Sequence, residues 1–186
     1  MFYSHDGKSN KKNFENEKTI KIKDYIEFLN TKNSEYKYVF HKFIMNMNDL
    51  ILNDINIEKY IKTFNINNLS CRLSEFYLGN LYSGTHLHKH IDVLNFLIYG
   101  IKLWIIIPPT RKNINLIKKK NWGYLNITGS IFEFYINNIN FILENFSKVF
   151  ITYQKSGEII YIPKDYFHFI INFSENIGFT IRFPFN

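Results

Sequence analysis

The chain has 186 residues, 46% hydrophobic and 18% aromatic, which is enough for one well-packed domain. Its 23 basic and 16 acidic residues leave a net charge of +7, while a single cysteine, Cys71, excludes an internal disulfide framework and a Cys-rich zinc module and is expected to be a buried small residue. The start, MFYSHDGKSNKKN, is too polar for a secretory signal, and no run reaches the roughly 18 apolar residues of a membrane span. An intracellular protein, cytoplasmic or nuclear and without membrane association, is therefore expected, an upstream signal segment aside.

Residues 1–21 are polar and rich in Lys and Asn and are expected to be an irregular lead-in or a frayed edge strand. Asp24 is placed to cap a short helix with Tyr25, Ile26, Phe28 and Leu29 at helical spacing. Tyr36 to Phe40 reads as a strand, and Met47 to Phe64 as one or two short helices. From Leu69 the pattern changes to short strands punctuated by glycine: Arg72 to Leu78, a turn near Ser83 and Gly84, then His86 to Ile91.

Val93 to Tyr99 and Lys102 to Ile107 read as a hairpin turning at Gly100 and closed by Pro108 and Pro109. Thr110 to Asn126 is expected to be a polar connection, with Lys118 to Lys120 beside Trp122 a solvated loop rather than a nucleic-acid patch. Phe132 to Phe146 has the spacing of the best long helix. Strands are expected at Val149 to Tyr153, Glu158 to Ile162, Phe169 to Phe173 and Gly178 to Phe183. Many short strands with a few helices give a mainly β fold with helical decoration (α+β), a sandwich or barrel.

Three of the six histidines fall within five residues, in Thr85-His86-Leu87-His88-Lys89-His90. On a strand all three would project from one face, and two imidazoles converging there begin a site for Fe, Zn or Cu. The residues alone leave open which two are used. The metallo-hydrolase pattern His-x-His-x-Asp-His is not met, since His90 and Ile91 stand where Asp and His are needed. Gly157 to His168 is an apolar strand and a turn ending in an aromatic pair and a histidine, which taken alone reads as a core or surface residue.

These two segments resemble the JmjC-type (cupin) Fe(II)- and 2-oxoglutarate-dependent oxygenases. In that family Thr-x-x-His-x-Asp opens the site and Gly-Asp/Glu-x-x-Tyr-x-Pro-x-x-Trp-x-His closes it. The first is matched from Thr85 to His90 with His in place of Asp, and residues 157–168 match the second without a gap. The run Ser83, Gly84, Leu87, His88, His90, Tyr99, Gly100, Lys102, Trp104, Pro108, Pro109 is also similar to JmjC domain-containing protein 8-like sequences.

The resemblance implies a double-stranded β-helix (cupin, jelly-roll) JmjC domain spanning 1–186, with 1–70 an N-terminal extension and 71–186 the metal-binding core. It implies His88, His90 and His168 as catalytic metal ligands, leaving His86 a bystander. Fe(II) is the metal it implies, although Zn suits the same ligands. It implies 2-oxoglutarate as cosubstrate, bound by Thr85, Asn95, Lys102 and Thr180, with the Lys102 ammonium facing the distal carboxylate. Asn172 matches a further family asparagine and is given only a supporting role.

The implied activity is hydroxylation of a protein side chain, with a protein substrate as partner. The sequence departs from the family at His90: three neutral imidazoles leave a bound ion more cationic than two with a carboxylate. That departure supports an alternative, a non-catalytic JmjC-like metal-binding scaffold with a three-His site. Two others use the same histidines, a zinc hydrolase or a metal-storage cupin, and Asp92 offers a His-x-Asp pair with His90.

Overall fold

The computed structural model describes residues 2–5, 18–20, 22–29, 38–43, 73–122 and 129–182. In chain order these form β1 (Phe2–His5), β2 (Lys18–Ile20), α1 (Ile22–Leu29), β3 (Tyr38–Phe43), β4 (Leu73–Gly79), β5 (Gly84–His88), β6 (Val93–Tyr99) and β7 (Ile101–Ile107). There follow α2 (Arg111–Lys119), α3 (Ile131–Asn145), β8 (Phe150–Lys155), β9 (Ile159–Ile162), β10 (Phe167–Asn172) and β11 (Asn176–Arg182). Cys71 and the helices expected over Met47 to Phe64 lie outside the described residues. No described helix is long and apolar enough to cross a membrane.

The strands make two antiparallel sheets, ordered β2-β1-β3-β4-β11-β6-β9 and β5-β10-β7-β8. The class is mainly β, a sandwich of jelly-roll type with few helices. From β4 to β11 the chain crosses between the sheets at nearly every step, so residues distant in sequence meet between them. Val93 and Ile162 of the larger sheet pack there against Trp104, Ile106 and Ile170 of the smaller.

Strands β5, β10 and β7 of the smaller sheet are buried on their other face too. Leu103, Ile105, Ile107, Phe169 and Ile171 form a second apolar layer with Ile117 of α2 and Ile131, Phe134 and Ile142 of α3. A strand covered on both sides has no solvent-facing positions to make polar, which is why β7 reads as an almost unbroken apolar run. The long helix keeps its place through a capping box: the Glu133 amide donates to Ser130 Oγ, and the Ser130 amide to Glu133 Oε2, both at 3.1 Å.

Four expectations change. β6 and β7 do not form a hairpin, because they belong to different sheets. Gly100 is the corner between them, with φ of 102°, and a Cβ there would run into the Glu175 carbonyl. A single residue is too short for the two-residue turn that hairpins favour, but it suffices for a chain switching sheets. The expected polar connection begins instead as α2, capped by Thr110, whose Oγ1 accepts from the Asn113 amide. That helix looked polar because one of its buried positions is Asn113, which donates from Nδ2 to the carbonyls of Pro108 and Ser147.

The strand expected over His86 to Ile91 ends at His88, leaving His90 on a loop. Asp24 lies in the first turn of α1 rather than at its cap. The remaining strands and the long helix fall within a few residues of their expected positions, and β1 and β2 extend the larger sheet at its edge.

Candidate metal centre and adjoining cavity

His88 closes β5 and stands opposite His168 of β10. The register then shifts, so that Ile170 pairs with Thr85. An extra residue in β5 is a bulge, and it re-aims the side chains on either side of it. Thr85 and His88 both face the space between the sheets, while His86 packs edge-on against Phe134 of α3, ring centroids 6.4 Å apart, and Leu87 joins the same apolar layer. The three histidines of the 85–90 segment therefore do not share a face, as strict alternation predicts. His86 is the one turned away.

His88, His90 and His168 come together with their ligand atoms all within 4.8 Å of one another. Ring centroids lie 5.4 Å apart for His88 and His90, 4.2 Å for His88 and His168, and 4.7 Å for His90 and His168. Each Nδ1 is held by a backbone carbonyl: His88 by His86 at 2.7 Å, His90 by Ile91 at 2.6 Å and His168 by Tyr166 at 3.1 Å. With Nδ1–H donating there, Nε2 of each ring keeps its lone pair for a metal.

Burial is the main cause that keeps these rings neutral. It lowers His88 to about 3, with the His90 charge adding to it, and His90 to about 4. It takes His168 well below 6.5, reinforced by His88 and then His90. Neutral imidazoles are what a divalent ion requires.

A cavity of about 340 Å³ opens beside the cluster, lined by all three histidines and by Thr85, Asn95 and Thr180. Thr180 pairs with Asn95 across β11 and β6, so two of these groups share one level. Thr85 Oγ1 and Thr180 Oγ1 are buried with no hydrogen-bond partner among the described residues. Buried hydroxyls are nearly always bonded, so two orphans facing one cavity fit a polar ligand that supplies acceptors or donors to them.

Lys102 stands behind Tyr77. It is 0% exposed on the inward face of β7, but it is not among the residues lining the cavity. Its Nζ lies 3.2 Å from the centroid of the Tyr77 ring, and burial pushes its pKa well below 10.5. Tyr77 does line the cavity and donates to Asn95 Oδ1 and to the Phe96 carbonyl, each at 2.8 Å. Asn172, beside Lys102 in the ladder, donates to Ser83 Oγ at 2.8 Å.

Sequence reasoning missed Tyr77, Trp104, Glu75 and Arg182, which also line the cavity. Trp104 Nε1 donates to the buried Gln154 at 2.9 Å, fixing the indole 5.8 Å from the His168 ring. Arg182 and Glu75 make a part-buried ion pair at 2.7 Å. Their signal was available: Arg182 follows Thr180 by two, so both project from one face of β11.

Asp92 is near the cluster but not in it. Its Oδ1 accepts from Tyr161 Oη at 2.6 Å and from the Lys164 amide at 3.0 Å. The cluster thus offers three nitrogen donors that line one cavity together with Thr85, Asn95 and Thr180. No protein-family model matches the chain, and no curated protein matches it.

Proposed function

We propose that the protein is a JmjC-type Fe(II)- and 2-oxoglutarate-dependent oxygenase that hydroxylates a side chain of another protein. The observation that carries this reading is the pairing of two features in one cavity. Three neutral, backbone-oriented imidazoles stand at one side, and the orphaned hydroxyls of Thr85 and Thr180 face the same space.

Strand order supports the fold this reading needs. The two four-strand runs β4-β11-β6-β9 and β5-β10-β7-β8 face each other as a jelly-roll-like sandwich, the coarser class to which a double-stranded β-helix belongs. Charge supports the ligand class. Arg182 is paired with Glu75 and Lys89 with Asp165, so a divalent ion on three neutral donors would add two positive charges that no described side chain of the cavity lining offsets. A dicarboxylate is the matching guest.

Fe(II) held by His88, His90 and His168 would supply oxygen activation, with 2-oxoglutarate and O₂ going to succinate and CO₂ as one C–H bond becomes C–OH. The chain's own residues do the rest. Thr85, Thr180 and Asn95 orient the cosubstrate, Lys102 stands behind Tyr77 as the group the resemblance assigns to the distal carboxylate, and Trp104 with Ile170 gives the cavity an apolar wall. The test is succinate release from 2-oxoglutarate by Fe(II)-loaded protein on admission of oxygen.

One observation favours a second reading. With His90 in place of a carboxylate, the same fold serves as a metal-binding scaffold without turnover, and that protein would bind the ion yet form no succinate.

A further inference from the structure

Two of the three histidines are held by strand pairing and one is not. His88 and His168 face each other across a ladder, whereas His90 lies on the loop 89–92 between β5 and β6. A ligand on a loop has to be fixed by contacts from outside it. Among the described residues the hydrogen bonds that do this come from the neighbouring segment 161–166, which ends β9 and turns towards His168. The Asp165 amide donates to the His90 carbonyl at 2.9 Å, and Lys89 Nζ meets Asp165 Oδ1 at 2.6 Å. Asp92 Oδ1 takes Tyr161 Oη and the Lys164 amide.

These contacts differ in weight. The Lys89–Asp165 pair is half exposed, with side chains 48% and 47% accessible, and contributes little in water. Asp92 is 4% exposed, and its carboxyl collects a phenol and a main-chain donor in part-buried hydrogen bonds, which are less open to competition from water than the exposed pair. Losing it removes the hydrogen bonds that tie the loop end to β9 and the turn after it.

We propose that Asp92 is a positioning residue of the metal centre: its grip on Tyr161 and Lys164 holds the loop so that His90 stays within ligand reach of His88 and His168. The inference rests on the three-His reading of the site. It also accounts for a carboxylate two residues from His90 that is not itself a ligand, since its Oδ1 is engaged by β9 and the turn that follows.

The test is a double-mutant cycle read by zinc affinity, from competition with a chromophoric chelator, and by the visible spectrum of bound Co(II). Asp92→Ala is expected to weaken zinc binding by about 10- to 100-fold. In a His90→Ala background the same change is expected to alter affinity by less than about twofold, because no ligand is left to position. The Co(II) spectrum of Asp92→Ala should approach that of His90→Ala. Asp92→Asn and Tyr161→Phe, which keep the side-chain volume, should give smaller losses, again only where His90 is present.

Equal losses in both backgrounds, or unchanged affinity, would overturn the proposal. So would unfolding of all three metal-free variants by circular dichroism, since a positioning role leaves the fold intact. A wild-type protein that binds neither zinc nor Co(II) overturns the three-His reading and this inference together. Wild-type binding with unaffected Asp92 variants overturns the inference alone.

Discussion

His168 stands directly opposite His88 across the β5–β10 ladder, and the next register pair joins Ile170 to Thr85, so three steps of β5 match two of β10. That bulge decides which histidines meet. It sends His86 to the helix side, where it is 3% exposed against Phe134, and leaves His88 in the cavity.

His168→Ala is expected to cut zinc or Fe(II) affinity by more than the roughly 10- to 100-fold cost of losing an outer partner. His86→Ala should leave affinity within about twofold while lowering the melting temperature, because it removes a buried ring from the apolar layer. Isothermal titration and thermal denaturation of the two variants separate these roles. Loss of metal binding in His86→Ala would show that the bulge places the wrong histidine in the site.

The distinction between His86 and its neighbours was only partly legible in the sequence. Three histidines at alternate positions predict one face, and nothing in residues 85–90 announces an extra residue in the ladder, because a bulge is set by the partner strand. Gly100 was legible as a turn but not as a sheet-switching corner. The sheets become apparent only when β6 is seen to pair with β9 and β11. By contrast, α3 carries its own signals, a capping box and an apolar stripe, whereas His168 stood out only through the family pattern that residues 157–168 resemble. Lys102 is assigned to the cosubstrate by the resemblance alone, and nothing in the residues around it announces that its Nζ lies on the Tyr77 ring.

Thr180→Val should act in opposite directions on stability and binding. The hydroxyl is buried without a partner among the described residues, so replacing it by a methyl of the same shape should leave the melting temperature of the free protein unchanged or higher. The same change should weaken 2-oxoglutarate binding to the metal-loaded protein by about three- to tenfold, one neutral hydrogen bond. A drop in stability with unchanged affinity would assign Thr180 to the scaffold.

His90→Asp restores a negative ligand, and the account expects it to keep metal binding and to keep or raise 2-oxoglutarate turnover. Succinate assays on both proteins check this. If the change abolishes metal binding and His86→Ala does so too, the ligand set is wrong.

The pH dependence follows from burial. In the folded protein His88 and His90 are held down at about 3 and about 4, and His168 is lowered as well, against 6.5 in the unfolded chain. Below about pH 6.5 the unfolded state therefore binds protons that the folded state does not. The metal-free protein should lose stability as pH falls from about 6.5 towards 4, seen as a falling melting temperature. Zinc affinity should stay nearly level between about pH 7.5 and 5.5, where an exposed three-His site would lose most of its affinity to protons.

The most direct test of the central claim is an anaerobic titration of the protein with Fe(II) and then 2-oxoglutarate, followed by visible absorption. The account predicts a charge-transfer band that saturates at one equivalent, is absent from His168→Ala, and is followed by succinate when oxygen is admitted. A normally folded protein that gives neither band nor succinate would contradict it.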